Sequence, residues 1–143
     1  MREPSPKKSR ANKENVLQII NDVHILHANL DGYKSHAIDV EAEIALLDQE
    51  PDIVLLNETK LDEGDVEPVL SGYILICQRN RGAKNKGGGI AVFARKEKAA
   101  HVTHLGNSEI CERSWIMLHT NDGPFLIACW YRPPQQGKYR GYK

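Results

Sequence analysis

The sequence carries no net charge: nineteen Lys and Arg balance nineteen Asp and Glu over 143 residues. No bulk field therefore points to nucleic acid or to a membrane surface, and any electrostatic footprint must be local. No stretch approaches the ~20 apolar residues that a membrane helix needs. The N-terminus is charged but has no apolar run behind it, so it does not read as a secretory signal. Cysteine is scarce and odd in number; Cys77, Cys111 and Cys129 lie far apart, each in an apolar strand-like segment. That spacing argues against a disulfide framework or a zinc set and predicts three reduced core residues. Without a secretory signal the Asn57-Glu58-Thr59 match to a glycosylation acceptor is accidental, and the chain reads as intracellular, nuclear or cytoplasmic. What remains suffices for one domain, with 41% hydrophobic and 27% charged residues.

Residues 1–20 are polar, basic and proline-bearing and read as a disordered tail. Their Lys7, Lys8 and Arg10 cluster is either solvated or a targeting or phosphate-binding element. A first strand is expected over Val23–Ala28, then the turn signal Asp31-Gly32. From Ser35 to Gln49 the period changes: Val40, Ile44 and Leu47 fall at i, i+4 and i+7, which predicts an amphipathic helix ended by Pro51. Ile53, Val54, Leu55 and Leu56 then run unbroken, the pattern of a strand buried on both faces. Strand, helix and buried strand form a βαβ unit with a parallel pair.

After a polar loop, GYILIC, GGIAVFAR, RSWIMLHT and PFLIACWY follow as short strands without helices between them. They predict hairpins or a meander, and with the βαβ unit a mixed, mainly antiparallel α+β layered fold. The domain is expected over 21–134, and 135–143 (QGKYRGYK with the preceding Gln) is a polar, basic tail with no apolar face. A layered fold of this kind needs further strands, so the chain reads as a first half, incomplete at the C-terminus. Open edges and an exposed sheet face then predict marginal stability or a need for a partner.

Asn29 and Glu58 close the two parallel strands, where open α/β sheets place their ligand crevice. An amide and a carboxylate there suit a hard cation such as Mg²⁺; the plainer reading is a turn at Asn29 and a solvated Glu58. Tyr131 closes a later strand, where its phenol can reach the same rim beside Arg132, or can be an ordinary strand aromatic before Pro133 and Pro134. The loop RNRGAKNKGGG carries Arg79, Arg81, Lys84 and Lys86, a local patch able to meet a phosphodiester backbone or simply a solvated tip. It is no phosphate-cradling P-loop, because no Gly-Lys-Ser/Thr follows and the next element is a strand. None of the six histidines has a carboxylate partner at a telling spacing, so none is nominated as a base.

The order of HANLDGYK, PDIVLLNETKLDEG, SGYILICQRNR, GGGIAVFAR, ERSWIML and ACWYRPP is more specific than any one of them. Over residues 22–134 the chain resembles the endonuclease/exonuclease/phosphatase domain, in particular the apurinic-type endonuclease of LINE-type non-LTR retrotransposons. The resemblance implies a four-layered, DNase I-like α/β sandwich and phosphodiester hydrolysis assisted by Mg²⁺ or Mn²⁺, with DNA as partner. It implies that Glu58 is a metal ligand, that Asn29 lies beside metal and phosphate, and that Tyr131 contacts the phosphate. Glu112 matches a recurrent acidic position to which no role is assigned. Nothing after Tyr131 is an Asp or a His, so the Asp-x-Asn and Ser-Asp-His motifs of such enzymes are missing. The expectation is an endonuclease inactive by itself, whose partner is a C-terminal half or the reverse-transcriptase region of a longer polyprotein. A non-catalytic binding relic, or a phosphoester hydrolase for another substrate such as inositol lipids or sphingomyelin, remains open.

Overall fold

The computed structural model describes residues 23–82, 86–108, 111–120 and 122–132. The expected tails, Pro133, Pro134 and Lys84 lie outside the described residues. The elements run β1 (Ile25–Asn29), α1 (Tyr33–Leu46), β2 (Ile53–Asn57), β3 (Tyr73–Arg79), β4 (Ile90–Arg95), a 3₁₀ turn, β5 (Val102–Asn107), β6 (Arg113–Thr120) and β7 (Gly123–Trp130). They form a four-stranded sheet in the order β1-β2-β4-β3 and a three-stranded sheet in the order β5-β6-β7. β1 and β2 are parallel, as the βαβ pattern requires, and the remaining pairs are antiparallel.

Alternation explains the unbroken apolar run of β2. Ile53 and Leu55 join a core with Ile90, Val92, Ile116, Leu118 and Cys129, between the two sheets. Val54 and Leu56 join a second core with Val40 and Ile44 of α1 and with Phe93 of β4. β2 and β4 are thus buried on both faces, and the described layers run helix, sheet, sheet. The fourth layer that the resemblance implies has no counterpart among the described residues. At the edges, β1 leaves Ile25 exposed and β7 leaves Phe125, Leu126 and Trp130 about half exposed, which agrees with the expected uncovered sheet surface.

Several local expectations need correction. The helix starts at Tyr33 and ends at Leu46, before Pro51 can act, because Leu47 is already extended at φ −75° and ψ 140°. Its buried stripe is only Val40 and Ile44, and Leu47 lies exposed. The strand β5 was not anticipated, since VTHLGN buries only Val102 and is interrupted by a bulge between His104 and Gly106. Cys77 and Cys129 are buried free thiols as expected, but Cys111 is only half-buried. The base of the parallel pair is tied by Asp52, whose Oδ2 accepts the His24 amide at 3.0 Å and whose Oδ1 accepts Arg95 Nη2 at 2.7 Å. No helix among the described residues is long and apolar enough to cross a membrane.

Candidate active site

The parallel register sets Asn29 beside Asn57, so both strands open at one rim. The chain leaving β1 then tracks the chain leaving β2: Leu30 N–H donates to Asn57 O, Gly32 N–H to Glu58 O and Tyr33 N–H to Thr59 O, at 2.8–2.9 Å. On the other side, Thr59 and Lys60 donate to the carbonyls of Gly89 and Gly88 at 3.3 and 2.8 Å. Glu58 is thereby held in the left-handed region at φ 52°. For a side chain with a Cβ this conformation costs roughly 1–2 kcal/mol, so the flanking backbone bonds must impose it. Strain of this kind concentrates at functional sites.

The structure brings Glu58 and Tyr131 together. The Tyr131 hydroxyl donates to Glu58 Oε1 at 3.0 Å. Burial pushes the Tyr131 phenol up to about 12, helped by that hydrogen bond and by the charges of Glu58 and Glu112. Near neutral pH the phenol therefore stays protonated and acts as a donor. Asn29 closes the neighbouring strand, and its Oδ1 accepts the Asp31 amide at 3.3 Å. It makes the turn of the plainer reading while standing at the same rim.

Three sets of contacts at this rim go beyond the sequence, which shows the glycine run and Glu112 but not what they touch. Asn57 joins the sheets, its Nδ2 donating to Trp130 O and its Oδ1 accepting from Cys129 Sγ, both at 3.0 Å. The Gly87-Gly88-Gly89 run is a contact surface: a Cβ on Gly87 would stand 2.9 Å from the Tyr131 hydroxyl and 3.0 Å from Glu58 Oε1. Glu112 is buried, with Oε1 accepting the Gly89 amide at 2.8 Å. An uninterrupted glycine triplet facing a buried-strand carboxylate was the available signal, but nothing in the sequence states what the glycines touch.

The basic loop behaves differently from a free patch. Arg79 Nη1 donates to the carbonyls of Ser108 and Cys111. Arg81 grips Asp62 with two nitrogens at 2.8 and 2.9 Å and donates to Lys86 O at 2.7 Å. Lys86 is exposed. One histidine expectation also changes: His36 Nδ1 lies 2.9 Å from Asp39 Oδ2, one turn apart on the exposed surface of α1. Among the described residues no three His, Cys, Asp or Glu side chains gather as a metal cage. A cation at this rim would have one carboxylate and neutral oxygens, a donor set that suits Mg²⁺ with its retained waters.

Comparison with known proteins gives a consistent picture. The model of the Endonuclease/Exonuclease/phosphatase family matches residues 4–142. No curated protein matches significantly. The fold is similar to that of the AP endonuclease LMAP from Leishmania major, with TM-score 0.58 and 19% identity over 76% of this chain and 40% of that one. It is also similar to the endonuclease domain of TRAS1, a telomere-specific non-LTR retrotransposon, with TM-score 0.54 and 15% identity over 84% of this chain and 50% of that one. The chain thus spans 40–50% of the length of these solved structures.

Proposed function

From the premise that the chain belongs to the endonuclease/exonuclease/phosphatase family, we propose that it forms the cation- and phosphate-binding side of an endonuclease. The enzyme we infer is divalent-metal-dependent and nicks DNA, as part of a non-LTR retrotransposon or a derivative of one. The observation that carries this reading is the Tyr131–Glu58 hydrogen bond at 3.0 Å, at the rim where the parallel strands end.

Glu58 would hold Mg²⁺ or Mn²⁺, with Asn29 beside it. The bound cation would polarise a phosphoryl oxygen and steady the leaving oxygen. Tyr131, kept protonated by burial and by its carboxylate neighbours, has a single O–H to give, so with substrate present it would turn that donor from Glu58 Oε1 to a phosphate oxygen and help hold the diester for in-line attack. Lys86 adds a positive charge for the backbone. Water activation has no candidate among these residues. We place it on polypeptide beyond them, a C-terminal half or a reverse-transcriptase-bearing continuation, so the 143 residues hydrolyse little or nothing alone. A nuclear or cytoplasmic location goes with this reading. A non-catalytic binder built on the basic loop is less supported, because Arg79 and Arg81 spend donors inside the protein.

The test is Mg²⁺ binding to the purified chain, followed by calorimetry and amide NMR, together with nicking of supercoiled DNA. Binding that Glu58→Ala removes, without nicking, is the expected result. An absence of Mg²⁺ binding would overturn the metal assignment. Mg²⁺-dependent nicking lost in Glu58→Ala would overturn the assigned inactivity.

A further inference from the structure

Glu112 is a buried carboxylate, 8% exposed, and among the described residues shares that state only with Asp52. Its Oε1 accepts the Gly89 amide at 2.8 Å, while its buried Oε2 has no hydrogen-bond partner among the described residues. Leaving one oxygen of a buried carboxylate unmatched is costly, and an amide or an apolar residue could fill the space more cheaply. The carboxylate also occupies the volume that a Gly88 side chain would need, since a Cβ there would stand 2.5 Å from Oε2 and 2.6 Å from Oε1. The main chain of the same residue is equally placed, because Glu112 O accepts the Tyr131 amide at 2.8 Å.

Two arms therefore leave Glu112 and meet again at the rim. One runs through its carbonyl to the backbone of Tyr131. The other runs through its carboxylate to Gly89, along Gly88, to Gly87, whose α-carbon faces both the Tyr131 hydroxyl and Glu58 Oε1. Gly88 and Gly89 also accept the Lys60 and Thr59 amides that follow Glu58. A charge-assisted hydrogen bond is roughly twice as strong as a neutral one, which suits an anchor for a glycine run with little conformational preference of its own.

We propose that Glu112 is a positioning residue for the Glu58–Tyr131 pair, acting through the backbone of Gly87, Gly88 and Gly89. It touches neither the cation nor the phosphate. Its carboxylate fixes the glycine run, and the run fixes the distance between the phenol and the cation-binding carboxylate. The consequence for cation affinity rests on the function proposed above; the geometric part does not.

Glu112→Gln keeps an acceptor for the Gly89 amide and removes the charge, whereas Glu112→Ala removes both. We expect amide NMR of the Ala variant of the full 143-residue chain to show shifted Gly88 and Gly89 signals, faster exchange at Gly89 and shifted Tyr131 ring signals. Its Mg²⁺ affinity should fall about 10-fold or more, the usual range for outer-shell partners of a metal ligand, with Glu112→Gln recovering most of it. If the Ala variant does not fold, Glu112→Gln and Glu112→Asp are compared by the same signals, and Gln is expected to stay nearer the parent. Unmoved Gly89 and Tyr131 signals would overturn the proposal, as would a Gln variant as impaired as Ala in cation affinity at unchanged Gly89 exchange. If the parent binds no Mg²⁺, the functional reading fails, and the Gly89 and Tyr131 signals still decide the role of Glu112.

Discussion

The Tyr131 hydroxyl meets Glu58 Oε1 at 3.0 Å, and this bond spans the two sheets, one residue leaving β7 and the other leaving β2. Beside it, Asn57 bridges the same strand ends through Trp130 O and Cys129 Sγ. The rim is therefore cross-linked twice, once by an internal amide and once by the Tyr131–Glu58 pair. Perturbing the pair from outside is possible because Gly87 leans on both members.

Gly87→Ala is the sharpest such perturbation. The added methyl would sit 2.9 Å from the Tyr131 hydroxyl and 3.0 Å from Glu58 Oε1, and Gly87 lies outside the left-handed region, so the backbone itself tolerates alanine. Both contacted atoms end flexible side chains and can move. The expected outcome is a folded protein with a separated pair and a Mg²⁺ affinity lowered about tenfold. Gly64→Ala is the control, at φ 93° with nothing within 4 Å; it should cost about 1 kcal/mol of stability and leave Mg²⁺ binding alone. Calorimetry and urea unfolding of both variants check this.

Asp52 should matter for stability and not for the rim. Its carboxylate is buried and holds the His24 amide and the Arg95 guanidinium at the opposite end of β2. Removing one partner of a mostly buried pair costs about 3 kcal/mol, at the low end because Arg95 keeps some water contact. Glu97, 3.6 Å from Arg95 Nε with a side chain 73% exposed, should cost less than about 0.5 kcal/mol when changed to Ala. Urea midpoints of Asp52→Ala and Glu97→Ala decide between a clamp and a decorative ion pair.

The basic loop separates in the same way. Arg79→Ala removes a charged donor from the Ser108 and Cys111 carbonyls, and should cost about 2 kcal/mol. Lys86→Ala should leave stability within about 0.5 kcal/mol and weaken binding of short duplex DNA, lowering the salt slope by about 1. Unfolding and salt-dependent binding measured on both variants would reverse this assignment if Lys86→Ala destabilised the chain and Arg79→Ala only weakened binding.

How much of this was legible in the sequence depends on the kind of information involved. PDIVLLNETKL declared a doubly buried strand because four aliphatics in a row cannot alternate with solvent, and β2 is buried on both faces. The parallel pairing followed from the intervening helix. β5 was not legible: with Val102 its single buried residue, its membership comes from pairing with β6, a tertiary fact that no local period encodes. Glu58 and Tyr131 were legible as residues at strand ends, whereas their contact depends on how two sheets stack. The charges of Arg79 and Arg81 were legible, but their internal acceptors are backbone carbonyls and a distant carboxylate, which composition cannot reveal. Glu112 was visible as an acid before a Trp-bearing strand; its role needed the glycine backbone in three dimensions.

Alkaline pH should unfold the protein through buried thiols and a buried phenol. Burial pushes Cys77 from 9.0 up to about 11, Cys129 from 9.0 up to about 12 and Tyr73 from 10.0 up to about 12. Cys129 donates to Asn57 Oδ1 and Tyr73 to Pro51 O, so each would lose a hydrogen bond on ionising as well as face a charge in the core. The folded state thus holds these protons more tightly than the unfolded chain does. Their contribution is fully present below pH 9, where both states are protonated, and is lost as pH rises from about 9 through 12, each proton carrying at most about 1.4 kcal/mol per pH unit. Urea midpoints measured from pH 7 to pH 11.5 should be flat at first and then fall. Tyr73→Phe should be less stable near neutrality and should flatten the upper part of the fall, since it removes the phenol's proton from the balance. A midpoint unchanged up to pH 11 would show that these groups titrate alike in both states and that their surroundings in the two cores are open to water.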